Sequence, residues 1–100
     1  MRIIAIKVLR EFWLRRPDAE QALRTWHEEV SRAQWSSPAE IKAQYAHASI
    51  LKERRVVFNI KGNDFRLVAS VAYQTKIVFV KFVGTHAEYD RIDAETIEQE

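Results

Sequence analysis

Arg66, Lys81, His86 and Tyr89 are the residues of this chain whose types, taken together, suit work on a phosphate ester. Breaking an RNA strand with its own 2′-hydroxyl takes removal of that hydroxyl's proton, stabilisation of the added negative charge on phosphorus, and protonation of the departing oxygen. Arginine brings a planar fork of donors for phosphate oxygens, and lysine a compact charge. Histidine exchanges a proton near neutral pH, and tyrosine can donate one or stack on a base. No metal and no cofactor is expected. Cysteine is absent, which removes thiolate sites, and His27-Glu28-Glu29-Val30 lacks the second histidine of a zinc-protease helix. No phosphate-binding glycine loop, nucleophile elbow or dinucleotide fingerprint occurs.

Strands must position these residues. From Arg54 onward three runs rich in Val, Phe and Ile are separated by Lys61-Gly62-Asn63-Asp64 and by Gln74-Thr75, which predicts an antiparallel meander. Turns centred on Gly62-Asn63 and Gln74-Thr75 set Asn59 opposite Arg66, and Val68 opposite both Val57 and Lys81. One face then carries Val56, Phe58, Ile60, Phe65, Leu67, Ala69, Val71, Val78, Val80 and Phe82, a surface to pack against helices. The other carries Arg55, Asn59, Arg66 and Lys81 among Val57, Val68, Ser70, Ile77 and Phe79. Gly84 breaks the last run, and Thr85-His86-Ala87-Glu88 is a capping box that predicts a helical turn from His86, with Tyr89 on the same face.

The first half supplies the helices. Residues 2–6 predict a short strand and residues 7–15 a helix; Pro17 opens a second helix in which Ala19, Ala22, Leu23, Trp26, Val30 and Ala33 recur at helical spacing. Ser37-Pro38-Ala39-Glu40 predicts an N-cap, a capping box and a short helix ending near Tyr45. Trp13, Trp26 and Trp35 fall in this half, where packing is the expected role. The fold class is therefore α+β, with one domain over residues 1–100 because so short a chain cannot furnish two cores. The tail 93–100 is acidic and polar, and is expected as a frayed helix or as disordered chain. No apolar run is long enough to span a membrane, and the lack of cysteine fits a cytoplasmic location.

Residue types alone leave alternatives open. An antiparallel sheet often has one wet face, where Arg66 and Lys81 would be merely solvated. His86 could be a helix-entry residue, Tyr89 a packing residue, and His27 and His47 surface or packing residues. Arg15-Arg16 and Arg54-Arg55 are short basic pairs, the second of more weight because it precedes the sheet. An RNA-cleaving enzyme, a non-catalytic RNA- or ribosome-binding module and a protein-interaction domain all fit these features.

Four blocks in order carry a resemblance: Trp35-Ser36-Ser37-Pro38-Ala39-Glu40-Ile41-Lys42, Arg55-Val56-Val57-Phe58-Asn59-Ile60-Lys61-Gly62-Asn63, Phe65-Arg66-Leu67-Val68, and Phe82-Val83-Gly84-Thr85-His86-Ala87-Glu88-Tyr89-Asp90. With the helix beginning Pro17-Asp18-Ala19-Glu20, they resemble the HigB toxin family. That resemblance implies a RelE-like fold, an antiparallel sheet with two N-terminal helices packed on one face. It implies an endoribonuclease that cleaves mRNA on the ribosome by metal-independent acid/base chemistry, neutralised by a HigA-type helix-turn-helix antitoxin through which alone operator DNA would be met. Carried onto matching positions, it assigns Arg66 and Lys81 to phosphate and transition-state contacts, His86 to acid or base work, and Tyr89 to base stacking or proton handling. Asn59 and Lys61 would help bind RNA, joined by Arg54 and Arg55.

Overall fold

The apolar periodicities become four α-helices and five strands among residues 1–98, which the computed structural model describes. In chain order these are β1 (Arg2–Ile4), α1 (Ile6–Arg15), a 3₁₀ turn at Pro17–Ala19, α2 (Glu20–Arg32), α3 (Pro38–Gln44), β2 (Ser49–Ile50), β3 (Arg55–Ile60), β4 (Phe65–Ala72), β5 (Ile77–Thr85) and α4 (His86–Tyr89). The strands form one sheet in the order β1-β5-β4-β3-β2. The expected meander is its centre, with Asn59 opposite Arg66 and Val57 opposite Val68.

The sheet as a whole is mixed rather than purely antiparallel, because β1 lies parallel to β5. The chain leaves β1 through the helical layer and comes back at the opposite edge. The meander then delivers β5 alongside β1 in the same direction, a pairing that a short turn cannot make. Strand periodicity reports none of this, since parallel and antiparallel partners present the same alternation.

The helices cover one face. Leu9, Phe12 and Trp13 of α1, Leu23, Trp26 and Val30 of α2, and Ile41 of α3 are buried with Val56, Phe58, Leu67, Val71, Val78 and Val80 of the sheet in one apolar cluster. Phe58 is the aromatic centre, edge-on to Trp26 at 5.4 Å and Tyr45 at 5.2 Å and stacked near Trp35 at 6.1 Å. All three tryptophans are buried, so they pack. The Tyr45 hydroxyl donates to Glu29 at 2.6 Å, and burial followed by that carboxylate pushes its pKa up. At α3 the capping box expected at Ser37 does not form: the Ser37 side chain caps nothing, and Glu40 accepts from the Ser36 backbone N–H instead.

A bulge changes which β5 residues face the helices. The register steps between Val68 and Ala69, so that Val68 faces Phe82 while Ala69 faces Val80, and Lys81 is the extra residue. Two successive side chains at a bulge leave on the same side of the strand. Phe82, expected in the helix-facing core, therefore packs on the other face with Val57 and Val68, and Val83 takes the core position. Lys81 does not sit opposite Val68 as the uniform register required.

Gly84 follows the bulge and is pressed under the displaced ring. A Cβ there would lie 2.6 Å from Phe82 Cζ and 3.0 Å from Glu88 Oε1. Gly84→Ala is expected to cost about 1–3 kcal/mol through this overpacking, read as a lower urea midpoint at unchanged slope. An unaltered midpoint would show that the ring swings aside without cost.

Residues 93–98, expected as a frayed helix or as chain disordered in isolation, form a turn that lies against the sheet. Ile97 donates its N–H to the Asp93 carbonyl at 2.9 Å, and Ala94 is buried against Val57 and Val68. Ala94 and Ile97 are the physical reason: two apolar residues in an acidic stretch meet an apolar patch that the bulge enlarges with Phe82. The part of that expectation concerning residues 99 and 100 lies outside the described residues.

Candidate active site

The sheet face away from the helices is organised in three cross-strand rows. Arg55, Ser70 and Phe79 form the first, Val57, Val68 and Phe82 the second, and Asn59, Arg66 and Gly84 the third, with Lys81 at the bulge between the first two. Alternate residues along a strand are about 6.6–6.8 Å apart, so the first and third rows are separated by about 13 Å. The residues singled out in the sequence therefore fall into two groups.

Arg66 and His86 make one group. Arg66 is buried, with 9% of its surface exposed, and is not the solvated sheet arginine that an alternating pattern suggests. Its Nη1 donates to the carbonyls of Asn63 and Phe65, both at 3.2 Å, and its Nη2 to Asn63 Oδ1 at 2.6 Å. Every one of these acceptors is neutral, and among the described residues no carboxylate pairs with Arg66. The turn between β3 and β4 thus orients a guanidinium without cancelling its charge. His86 begins α4 two residues past Gly84, the partner of Arg66, and its backbone N–H donates to the Asp64 carbonyl of the same turn at 3.3 Å.

The capping box predicted at Thr85 fixes this entry. Glu88 N–H donates to Thr85 Oγ1 at 3.1 Å and Thr85 N–H to Glu88 Oε1 at 2.8 Å, while Arg15 of α1 holds the other Glu88 oxygen at 3.1 Å. The Thr85 backbone bond, followed by Arg15, keeps the Glu88 carboxyl below its ordinary pKa, so the box is charged at neutral pH. His86 projects outward, exposed, with Nδ1 3.4 Å from Asp90 Oδ2. Tyr89, one turn on, is half-buried in the second apolar cluster beside Val57 and Val68.

Comparison with known proteins decides the family. Residues 19–92 match the profile of the HigB_toxin family, the RelE-like toxic component of a toxin-antitoxin system. The chain belongs to the HigB toxin family. It is 28% identical over 94 residues to the mRNA interferase HigB of Escherichia coli O6:H1, covering 92% of this chain and 91% of that protein. It is 27% identical over 92 residues to the mRNA interferase toxin HigB of Escherichia coli K12 and to the mRNA interferase HigB of Shigella flexneri, covering 90% of this chain and 88% of each. The resemblance drawn from the four blocks is met, and with it comes an antitoxin partner, since the family is one half of a toxin-antitoxin system.

The second group in this HigB-family chain is Arg55 with Lys81. Arg55 is 5% exposed and donates from Nη2 to Glu98 Oε2 at 2.5 Å and from Nη1 to the carbonyls of Ile97 at 2.6 Å and Ala94 at 3.3 Å. Lys81 Nζ donates to Glu98 Oε1 at 2.6 Å and lies 5.6 Å from the centre of the Phe79 ring. Hydrogen bonding to Lys81, with the nearby charge of Arg55, lowers the Glu98 pKa. A groove of 310 Å³ lined by Glu53, Arg54, Arg55, Ser70, Phe79, Lys81 and Glu98 surrounds them. Lys81 precedes Gly84 by three residues, about 10 Å along β5, so the structure sets it with Arg55 and not with Arg66.

The remaining RNA-binding candidates scatter. Arg54 is exposed at the groove rim in a left-handed backbone conformation. Asn59 is exposed and borders a separate hollow with Tyr45, His47 and Gly62. Lys61 is 3.6 Å from Asp18 of the 3₁₀ turn, on a carboxylate it shares with Arg16 and apart from the Arg55–Lys81 pair. Among the described residues no group of three or more His, Asp or Glu side chains could hold a metal ion. Asn63 and Glu98 are the residues sequence reasoning passed over. Asn63 stood there only as a turn former, and Glu98 as one acid in a polar tail.

Proposed function

We infer that this toxin is an endoribonuclease that cleaves mRNA and does so on the ribosome; the names of its relatives carry the first part, mRNA interferase. What chiefly supports the reading is Arg66: a buried guanidinium held by three neutral acceptors and no carboxylate, so that its charge is kept for an anion. Preorganised charge of this kind acts on the extra negative charge of a pentavalent phosphorus without reorganising during the reaction. His86 stands at the same end of the face. With Asp90 on its Nδ1 side, Nε2 is the nitrogen left to take the 2′-hydroxyl proton or to return one to the departing oxygen. Tyr89 either handles the other proton or stacks a base. Lys81, with Arg54, Arg55, Asn59 and Lys61, binds the strand.

In this reading residues 1–100 are one toxin domain that works in the cytoplasm without metal or cofactor. A HigA-type helix-turn-helix antitoxin neutralises it and carries any contact with operator DNA. No helix among the described residues is long and apolar enough to cross a membrane. The test adds the protein to ribosomes translating a defined messenger and maps 5′ ends. New ends within the reading frame, absent from the same messenger without ribosomes, are the expected result. Intact messenger carrying only a protected footprint would make the protein a non-catalytic ribosome-binding module.

A further inference from the structure

Resting on that reading, we propose that Arg55 and Lys81 form a phosphodiester subsite for the RNA strand beside the cleavage point, and that Glu98 occupies it as a phosphate mimic. The carboxylate offers one oxygen to each cation, Oε2 to Arg55 Nη2 at 2.5 Å and Oε1 to Lys81 Nζ at 2.6 Å. Two non-bridging oxygens of a phosphodiester would present the same pair of acceptors to the same pair of donors, and the arginine fork suits them. Separation from the Arg66 row by about 13 Å makes this a different phosphate from the one Arg66 would serve.

The partners of Arg55 single out the segment as a replaceable cover. The acceptors of its guanidinium among the described residues are the Ala94 and Ile97 carbonyls and Glu98, all from one short stretch, and none comes from the sheet that carries it. Apart from these bonds and that of Lys81 to Glu98, that stretch rests on the sheet, among the described residues, through the apolar contacts of Ala94 and Ile97, with Glu95 accepting from the Lys52 N–H at 3.3 Å. Glu98 itself is 58% exposed at the mouth of the groove, so an incoming strand can reach its carboxylate from solvent. Unlike Arg66, whose turn keeps three acceptors on it, the Arg55 guanidinium would lose every one of these acceptors when the segment leaves, and a buried guanidinium left bare is costly, so departure of the segment is coupled to arrival of another anion. Arg54, exposed on the rim, extends the same positive border outward.

The test compares the full chain with Glu98→Gln in binding a short fluorescent single-stranded oligoribonucleotide, by anisotropy over a range of sodium chloride. If Glu98 holds the subsite closed most of the time, apparent affinity is reduced by the open fraction, and Glu98→Gln should bind roughly three- to tenfold more tightly. Its affinity should also fall more steeply with salt, one more phosphate being neutralised. Ile97→Ser, which removes the apolar anchor of the segment without changing its charge, should shift affinity the same way. Glu11→Gln makes the same charge change on the exposed side of α1, across the sheet from the groove, and should stay within about twofold of the parent. Lys81→Ala in the Glu98→Gln background should cancel the gain. Equal gains from Glu98→Gln and Glu11→Gln would reduce the effect to net charge and overturn the proposal. So would unchanged or weaker binding by Glu98→Gln in a variant whose near-ultraviolet circular dichroism matches the parent. Tighter binding in a protein that never cleaves messenger would keep the subsite and remove the ribonuclease reading; normal cleavage with unmoved affinity would do the reverse.

Discussion

Arg66→Lys is expected to slow single-turnover cleavage on ribosomes by on the order of a hundred- to a thousandfold while leaving a folded protein, which is the usual cost of losing one preorganised donor to a developing charge. Lysine keeps the charge and loses the fork. Its three donors leave from one nitrogen rather than from two set apart, so meeting the Asn63 carbonyl, Asn63 Oδ1 and the Phe65 carbonyl would leave none for two phosphate oxygens. Arg66→Ala is the less informative change. It strips donors from three acceptors around a buried side chain, a loss of about 1–3 kcal/mol that would mix stability with chemistry. Ribosome binding must be measured alongside, so that weakened docking is not read as lost catalysis. Cleavage by Arg66→Lys within about threefold of the parent would take the transition-state role away from Arg66, since an interaction made only at the transition state must appear in the rate.

Arg66 also shows how far the sequence could be read. Its position was legible: alternation in residues 55–60 and 65–72 with a turn at Gly62-Asn63 put it opposite Asn59, and the register is as expected. Its burial was not, because the covering contacts come from the turn that folds back on it and from nothing in the alternation. The same limit explains β5. A uniform two-residue period sends Phe82 to the helices, and only the bulge, a property of how two strands twist together, sends it outward and brings Val83 inward. Thr85-His86-Ala87-Glu88 could be read in full because both halves of a capping box lie within four residues. Ser37 and Glu40 had the same signature and did not close it, Glu40 turning to Ser36. Local signals succeeded where the partners were local. Glu98 meets Arg55 and Lys81 across 43 and 17 residues of sequence, and no spacing announces such a bridge.

His86→Gln carries the largest expected loss, on the order of a hundred- to ten-thousandfold in the chemical step, the range over which a positioned proton donor or acceptor accelerates a reaction. Glutamine preserves polarity and approximate reach but exchanges no proton near neutrality. The fold should hardly notice, because the imidazole is exposed and what anchors α4 is backbone and cap: the His86 N–H on the Asp64 carbonyl, Thr85 with Glu88, and Arg15 on Glu88. A surface change away from such features is worth about 0.5 kcal/mol or less. Thermal unfolding of parent and variant should therefore superimpose while their cleavage rates diverge. Asp90 sharpens the assignment. Its carboxylate lies 3.4 Å from Nδ1 and carries no proton of the reaction in this reading, so Asp90→Asn should retain most of the rate that His86→Gln loses. Single-turnover cleavage across pH, with ribosome occupancy held constant, separates these outcomes. A His86→Gln variant that cleaves at the parental rate with the parental pH profile would make His86 a helix-entry residue only. The proton would then have to pass through the Tyr89 hydroxyl, and Tyr89→Phe would inherit the loss.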